Sequence, residues 1–174
     1  MTTAMTTTLP TAVGDLHLLS DGAALTGCWF GEPGDLFDRI GVAAPRTVPD
    51  LGELSEAIRD YLDGDVTAID GLPVQQAGST FRQSCWQAMR DVPAGETISY
   101  AELARRAGSP DAVRAAGGAC ARNVIALVVP CHRIVTSAGT LGGYAYGLDA
   151  KRWLLAHERG QETLGRGSAQ EISA

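Results

Sequence analysis

Cys131 and His132 stand side by side in Pro130-Cys131-His132-Arg133, directly after an apolar run over residues 124–129. The thiolate is the reactive form of cysteine, and an unassisted thiol with a pKa of about 8.5 is mostly protonated at neutral pH. A neighbouring base, or a hydrogen-bond network that reaches one, activates such a nucleophile. The pair therefore predicts nucleophilic chemistry at Cys131. The alternative is a buried structural cysteine that closes a core strand.

The remaining cysteines, Cys28, Cys85 and Cys120, are far apart in the sequence, and no two of the four form a Cys-x-x-Cys pair. Their spacing is not that of a secreted disulfide framework. We therefore expect four free thiols in a reducing cytoplasm. The three histidines are equally scattered, so we expect no metal site and no other cofactor.

Charge divides the chain into two parts. Residues 1–80 contain 3 Lys and Arg against 12 Asp and Glu, whereas residues 81–158 contain 9 against 6. Such asymmetry indicates two modules, of which the basic one could face phosphates; ordinary solvated surface charge is the alternative. No apolar run reaches the ~18 residues that cross a membrane, so we expect no membrane contact. Residues 1–9 are predicted to be a disordered leader.

The first part carries structural patterns and no catalytic spacing. Residues 11–19 and 23–30 flank the turn signal Ser20-Asp21-Gly22, which predicts an antiparallel hairpin. Apolar residues recur at helical spacing over residues 51–62, and Asp63-Gly64 should end that helix. Residues 72–74 are predicted to form a short strand. We expect this part to pack a core.

The second part is predicted to be mostly helical. Residues 81–89 form one amphipathic helix, and Ser99 with Glu102 forms a capping box for a helix over residues 100–107. Ser109 is predicted to cap a further helix over residues 110–122, with Pro110 at its first position. Two short helices joined by a tight turn with glycine fit a helix-turn-helix. The small residues of the second helix suit a DNA groove, and equally suit close helix packing.

These elements carry a longer series of motifs. In chain order they are Pro93-x-Gly95-x-Thr97-x-Ser99-Tyr100-x-x-Leu103-Ala104, Arg114-Ala115-x-Gly117, Asn123, Pro130-Cys131-His132-Arg133, Gly139-x-Leu141-x-Gly143-Tyr144, Gly147-Leu148 and Lys151-x-x-Leu154-Leu155-x-x-Glu158. The series closely resembles the O6-alkylguanine-DNA alkyltransferases, also called methylated-DNA–protein-cysteine methyltransferases. It spans residues 81–158, and the front half resembles the family's N-terminal domain more weakly.

The resemblance implies an α+β fold. It implies a ribonuclease-H-like α/β domain with an antiparallel hairpin over residues 10–78, and a winged-helix-like, helix-turn-helix domain that binds DNA over residues 79–160. Residues 161–174 would be a flexible tail.

The resemblance also implies the reaction, which is DNA repair by direct reversal. Cys131 would take the alkyl group from O6-alkylguanine that has been flipped out of duplex DNA, and O4-alkylthymine is an open second substrate. The thioether is never cleaved, so each molecule would act once, as a suicide methyltransferase. His132 would be the base, acting through a water, and Glu158 would hold its imidazole.

Further residues receive roles by the same resemblance. Tyr100 would bind guanine N3 and help neutralise the departing base. Asn123 would be the hinge, and Lys151 would lie near the cysteine, although an exposed helix lysine is the alternative. Arg114 would fill the place of the flipped base. Ser99, Ala115 and Gly117 would belong to the DNA-binding helices. The substrate pocket would be formed by Ile134, Tyr144, Ala145 and Tyr146.

Two residues depart from the family pattern. Val124 follows the hinge Asn123 where many members have proline, which removes a locked φ. Tyr146 replaces a residue that is often glycine, so we expect a narrower pocket that accepts methyl more readily than benzyl.

The partner implied is double-stranded DNA containing O6-alkylguanine. The protein would be a cytoplasmic monomer, with cooperative binding on DNA left open. Two other classes remain as alternatives. A non-catalytic lesion-binding protein would lack the cysteine that this chain has. A cysteine hydrolase, inferred from Cys131 and His132 alone, would turn over repeatedly.

Overall fold

The computed structural model describes residues 3–161, and the chain divides into two compact units. Residues 1–77 and 124–128 belong to the first unit, and residues 78–123 with residues from 129 onward belong to the second. The boundary predicted near residue 80 did not anticipate that residues 124–128 return to the first unit. The predicted flexible tail lies, apart from residue 161, outside the described residues.

A four-stranded sheet forms the first unit, with strand order β3-β2-β1-β4. Its strands are β1 (Met5–Thr11), β2 (Gly14–Ser20), β3 (Leu25–Phe30) and β4 (Arg46–Thr47). β2 and β3 pair antiparallel, which confirms the predicted hairpin, and Asp21 closes its turn by accepting the amides of Ala23 and Ala24, each at 2.9 Å. β1 pairs antiparallel with β2 and parallel with β4.

The disordered leader predicted over residues 1–9 is wrong from residue 5 onward. The threonines that suggested a leader form strand β1, and β-branched residues favour strands. Thr6 is buried, and its hydroxyl donates to the Leu18 carbonyl at 2.8 Å. The short neighbouring strand β4 pairs with the other side of β1 and gives it partners on both edges.

Two helices follow β3 and β4 respectively in the chain. The predicted helix over residues 51–62 is confirmed as α2 (Glu53–Leu62), which ends at Asp63. α1 (Pro33–Ile40) was not predicted, although Pro33 occupies a position in the first helical turn that suits proline. The strand predicted at residues 72–74 is reduced to a single bridge between Leu25 and Val74.

The apolar run before the cysteine is not a strand. Only Ile125 forms a bridge, to Cys28, and Leu127 adopts a left-handed φ of 67°. The Val124 carbonyl accepts from the Cys28 amide at 2.9 Å, and the Val124 amide donates to Gln76 at 3.1 Å. A proline at this position has no amide to donate. The run is apolar because it is buried, and burial alone does not distinguish a strand from an irregular segment.

Within its described residues, the second unit contains four α-helices and a short parallel strand pair. The helices are α3 (Thr80–Arg90), α4 (Tyr100–Arg106), α5 (Val113–Ala121) and α6 (Leu148–Glu158). β5 (Ile98–Ser99) pairs with β6 (Ile134–Val135), and Cys131–Arg133 form a single 3₁₀ turn directly before β6. The indole of Trp86 on α3 donates to the Ala119 carbonyl on α5 at 2.9 Å. With both sheets and helices, the chain has a mixed α+β fold, as predicted.

The two helices that were predicted to form a helix-turn-helix are present as α4 and α5, but their bounds differ from those predicted. Ser99 caps α4 by accepting the Glu102 amide at 3.0 Å, but the Glu102 carboxylate binds Arg105 and Arg106 and does not complete a capping box. Those two arginines lower the pKa of Glu102 to about 2. The second helix begins at Val113 without a side-chain cap, so Ser109 does not cap it.

None of the helices within residues 3–161 combines the length and the apolar character that a membrane span requires.

Candidate active site

Cys131 begins the 3₁₀ turn, and its thiol is almost fully buried, with 6% of the residue exposed. The Asn123 side-chain amide donates both to Sγ of Cys131 at 3.3 Å and to the Val129 carbonyl at 2.7 Å. Asn123 follows α5 directly, so this one amide fixes the end of that helix to the turn that carries the thiol. The structure thus brings together the predicted nucleophile and the predicted hinge.

Burial raises the pKa of the Cys131 thiol above its ordinary value. The hydrogen bond from Asn123 and the positive charge of Lys151 act in the opposite direction, because both favour the thiolate. The thiol is therefore protonated at neutral pH, and a proton acceptor is needed to form the nucleophile.

His132 is completely buried, and its Nε2 lies 2.7 Å from Oε1 of Glu158. An ionised carboxylate can only accept, so Nε2 carries the hydrogen and the lone pair lies on Nδ1. That Nδ1 is buried and makes no hydrogen bond to any residue within 3–161. Burial lowers the pKa of His132 despite the opposing charge of Glu158. The ring is therefore neutral and can accept a proton on Nδ1.

Arg133 holds the other side of Glu158, and the sequence analysis assigned it no role. Its Nη2 donates to Oε1 at 2.8 Å, its Nε donates to Oε2 at 3.1 Å, and its Nη1 donates to the Val92 carbonyl at 2.6 Å. Burial alone would raise the pKa of Glu158, but His132 and Arg133 outweigh it and hold that pKa far below the usual range. An arginine inside an otherwise apolar motif, next to a candidate base, was the signal available in the sequence.

The Gly95 amide also donates to Glu158 Oε2, at 3.2 Å. Residue 95 has φ +85°, and a Cβ there would lie 3.3 Å from the Glu158 carbonyl oxygen. Both constraints favour glycine, which gives a physical reason for this member of the motif.

Lys151 is buried, so the alternative of an exposed helix lysine is wrong. Its ammonium donates to the carbonyls of Ile134 at 2.7 Å and Gly143 at 3.2 Å, and also to that of Leu141. Burial lowers the pKa of Lys151. It does not hydrogen-bond the thiol; it ties the loop over residues 134–143 to α6 and acts on Cys131 through its charge.

A cavity of about 190 Å³ opens onto the thiol. Its lining residues are Tyr100, Gly117, Cys120, Ala121, Cys131, Gly143, Tyr144 and Ala145. The predicted pocket residues Tyr144 and Ala145 are thus present. Ile134 is buried beside the cavity lining, with its carbonyl bound to Lys151. Tyr146 packs edge-on against Tyr144, with ring centroids 5.1 Å apart, and is not a lining residue.

Two lining residues were not expected there. Gly117 was assigned to DNA, but it faces the cavity with Cys120, which received no role in the sequence analysis. Their spacing of three residues on one helix face would have indicated a common surface. In the loop that precedes Gly143, a Cβ at Gly142 would lie 3.0 Å from the Tyr100 hydroxyl, so glycine allows the loop to approach that ring closely.

The other predicted DNA-binding residues lie apart from the thiol. Arg114 and Ala115 are exposed at the start of α5 and line an open groove of about 690 Å³, together with Arg82 and Arg122. Ser99 lines neither surface, because its hydroxyl caps α4. The α5 helix thus presents one set of residues to the groove and another to the cavity.

Comparison with known proteins agrees with this geometry. The family model described as 6-O-methylguanine DNA methyltransferase, DNA binding domain, matches residues 80–160. The methylated-DNA–protein-cysteine methyltransferase of Haemophilus influenzae is 38% identical over 159 residues, which are 91% of this chain and 88% of that protein. The crystal structure of Mycobacterium tuberculosis O6-methylguanine methyltransferase has a TM-score of 0.75 at 30% identity, over 95% of this chain and 96% of that one. A structure of Mycobacterium tuberculosis OGT in complex with DNA has a TM-score of 0.72 at 30% identity, over 90% and 94%. The resemblance found in the sequence is confirmed, and the chain belongs to the methylated-DNA–protein-cysteine methyltransferase family.

Proposed function

We propose that this protein repairs alkylated duplex DNA by moving the alkyl group from O6 of guanine to Sγ of Cys131. The observation that carries the proposal is a thiol held by the Asn123 amide, exposed to a small cavity, and adjacent to a neutral imidazole that is bound to a carboxylate. Cys131, His132 and Glu158 thus have the arrangement of a nucleophile, its base and the group that orients the base. Family membership supports the same reaction.

The proton of the thiol goes to His132 through a water molecule. The Nδ1 lone pair accepts it, while Nε2–H continues to donate to Glu158. As positive charge forms on the ring, the ionised Glu158 stabilises it at 2.7 Å. Glu158 therefore keeps the imidazole in the accepting tautomer and favours the imidazolium that follows.

The thiolate then attacks the alkyl carbon. The new S–C bond forms as the C–O6 bond breaks, and the electron pair of that bond leaves with guanine. The Tyr100 hydroxyl donates a hydrogen bond to N3 of the departing base and stabilises its negative charge; burial raises the pKa of Tyr100, so the hydroxyl keeps its proton. The proton held by the His132 imidazolium returns through water to the guanine anion, which leaves as neutral guanine. The product is a thioether, and no group in the cavity can cleave it. The same displacement would act on O4-alkylthymine.

The target base reaches the cavity by leaving the stack, because the reacting carbon is inaccessible inside a duplex. Arg114 is exposed at the groove and takes the vacated place, while Ser99 positions α4 and Ala115 allows α5 to approach the DNA. Arg82 and Arg122, which line the groove beside Arg114, bind phosphates. Gly117 leaves space at the cavity wall for the flipped base.

The pocket loop would bind the alkylated base from the other side. Tyr144 forms a wall, the Ala145 amide donates toward O6, and the buried Ile134 backbone supports the guanine edge together with Cys131. Tyr146 acts through Tyr144, on which its ring packs. Lys151 keeps this loop in place and favours the thiolate by its charge.

We further propose domain roles within the α+β fold. Residues 79–160 form a winged-helix-like DNA-binding domain, supported by the α4–α5 pair and the β5–β6 pair. The earlier residues form a ribonuclease-H-like domain, supported by the mixed four-stranded sheet. The protein acts as a monomer. Four free cysteines, one of which must stay reduced to react, favour the cytoplasm.

Intact-mass analysis after mixing with duplex DNA carrying one O6-methylguanine tests the reaction. We expect each molecule to gain one methyl group in place of a hydrogen, located on Cys131 by peptide mapping, and then to stop. Repeated turnover would instead indicate a hydrolase. Tight lesion binding with no mass change would indicate a lesion-binding protein. Methylation of another cysteine would also contradict the proposal.

Two variants separate DNA binding from chemistry. Cys131→Ser should bind the same duplex and gain no methyl group. Arg114→Ala should react more slowly with the duplex, yet react normally with free O6-benzylguanine, because a free base need not be flipped. Duplex repair at the wild-type rate in Arg114→Ala would contradict its assignment.

A further inference from the structure

Arg133 is almost completely buried, with 3% of the residue exposed, and it occupies both oxygens of Glu158. A bidentate arginine–carboxylate pair is among the strongest and most directional contacts in proteins. The third contact, from Nη1 to the Val92 carbonyl at 2.6 Å, fixes the guanidinium plane. Glu158 is thus shared between an arginine and the histidine that the proposed reaction uses as its base.

We propose that Arg133 is a positioning residue of the alkyl transfer: its permanent positive charge balances the negative charge of Glu158, so that His132 stays neutral and keeps its Nδ1 lone pair for the thiol proton. The inference rests on the proposed function, because it assigns a purpose to a neutral His132.

The buried carboxylate of Glu158 needs a balancing positive charge. An ionised carboxylate inside a protein needs a cation or several donors close by. Arginine is always protonated and can fill this need, whereas a histidine fills it only by becoming an imidazolium. Without Arg133, the nearest group able to become a cation toward Glu158 is His132, at 2.7 Å. A ring already protonated on both nitrogens cannot accept the thiol proton.

The other charged and titratable neighbours do not provide this balance. Arg159, which follows Glu158 in the chain, is exposed, and its Nε donates to the Gly95 carbonyl at 3.1 Å. Lys151 on α6 lowers the pKa of His132, as Arg133 does, but its ammonium is bound to three loop carbonyls. Cys131 precedes His132 in the chain, and its thiol is protonated and uncharged at neutral pH. Helix α3 also packs on this turn; its buried titratable group is Cys85, whose pKa burial raises, so that thiol is uncharged.

The test is the full-length protein with Arg133→Met, measured beside Arg152→Met. Arg152 is a matched control because it pairs with Asp149 on the exposed side of α6, the helix that carries Glu158. The readouts are a ¹⁵N NMR titration of the His132 ring and the single-turnover methyl-transfer rate against pH. In Arg133→Met we expect the pKa of His132 to rise by about one unit or more. The acid limb of the pH–rate profile should shift to higher pH by the same amount, so that at a given pH on that limb the rate is about tenfold lower. Arg152→Met should show neither change.

Two further variants keep the inference testable. Arg133→Gln can still donate to Glu158 but carries no charge, so its His132 should behave as in Arg133→Met. Arg133→Lys retains the charge and should leave the pKa of His132 close to that of the wild type. A purely structural arginine would lower stability in all these variants without separating charged from neutral replacements.

The wild-type protein alone also gives an answer. Its ¹⁵N shifts at pH 7 should show a neutral ring with hydrogen on Nε2 and the lone pair on Nδ1. An imidazolium at pH 7, or an unchanged pKa of His132 in either neutral variant, would overturn the inference. These measurements need no alkylated substrate. Failure of the inference is therefore distinguishable from failure of the proposed function, which would appear as absence of methylation at Cys131.

Discussion

Replacing Asn123 with alanine removes a single amide that does two things. In the folded protein this amide donates to the Cys131 thiol at 3.3 Å and to the Val129 carbonyl at 2.7 Å. Val129 is 1% exposed, so water does not readily replace the lost donor. We therefore expect Asn123→Ala to weaken the thiolate and the fold together.

The magnitudes follow from these two bonds. A hydrogen bond to a charged group contributes about 1.5 kcal/mol at the lower end, which suits a sulfur acceptor at 3.3 Å. Since 1.36 kcal/mol corresponds to one pKa unit, the pKa of Cys131 should rise by about one unit. At a fixed neutral pH the thiolate population, and with it the rate, should fall about tenfold. The orphaned Val129 carbonyl should cost about 1–3 kcal/mol of unfolding free energy.

The assay is the rate of carbamidomethylation of Cys131 by iodoacetamide against pH, read by peptide mass, beside the single-turnover methyl-transfer rate. Ser55→Ala is the control, because it removes a buried side-chain hydrogen bond to the Leu51 amide in the other unit. It should lower stability and leave both rates unchanged. If folded Asn123→Ala shows the wild-type thiol pKa and rate, the amide does not stabilise the thiolate and the reasoning fails.

Three further outcomes are expected. Lys151→Met removes the donor shared by three loop carbonyls and should lower the urea unfolding free energy by about 2 kcal/mol or more; a loss below about 0.5 kcal/mol would contradict that contact set. Tyr146→Gly removes the ring that supports Tyr144, so inactivation by O6-benzylguanine should become about tenfold faster, and an unchanged rate would show that Tyr146 does not restrict the pocket. The folded-state pKa values of His132 and Glu158 are both lowered, so unfolding free energy should fall as the pH drops below about 6.5, and further below about 4.3, each group's ordinary value. A stability that is flat from pH 7 to pH 5 would contradict the direction for His132, and one that is flat from pH 4 to pH 2 would contradict the direction for Glu158.

Local patterns predicted several elements because their signals are local. The hairpin around Asp21 and helix α2 follow from alternation and helical spacing, and the Ser99 cap follows from one side chain and one nearby amide. Strand β1 was missed because its stability comes from pairing with β2 and β4 on both edges. Long-range pairing leaves no mark in a nine-residue window.

The sequence predicted which residues form the core of the site, but it did not predict all the contacts between them. Motif resemblance identified Cys131, His132 and Glu158, and the structure brings the last two together. It could not indicate that Arg133 binds Glu158, because that contact depends on the approach of α6 to the 3₁₀ turn. The burial of Lys151 has the same origin. Tyr146 was expected in the pocket by resemblance to the family, whereas its ring packs edge-on against Tyr144 and does not line the cavity.

Cys28, Cys85 and Cys131 are buried and Cys120 is partly exposed, yet one contact distinguishes Cys131 from the other three. Burial raises the pKa of each, and for Cys28 and Cys85 nothing opposes it. Cys120 lines the same cavity as Cys131, but the neighbouring thiol raises its pKa further. Within residues 3–161, Cys131 is the cysteine whose sulfur accepts a side-chain amide, and the donor, Asn123, lies just beyond the helix that carries Cys120. Exposure therefore does not select the nucleophile. The selection comes from a donor placed just beyond the end of α5, so the helix that carries Arg114 also positions the amide that distinguishes Cys131.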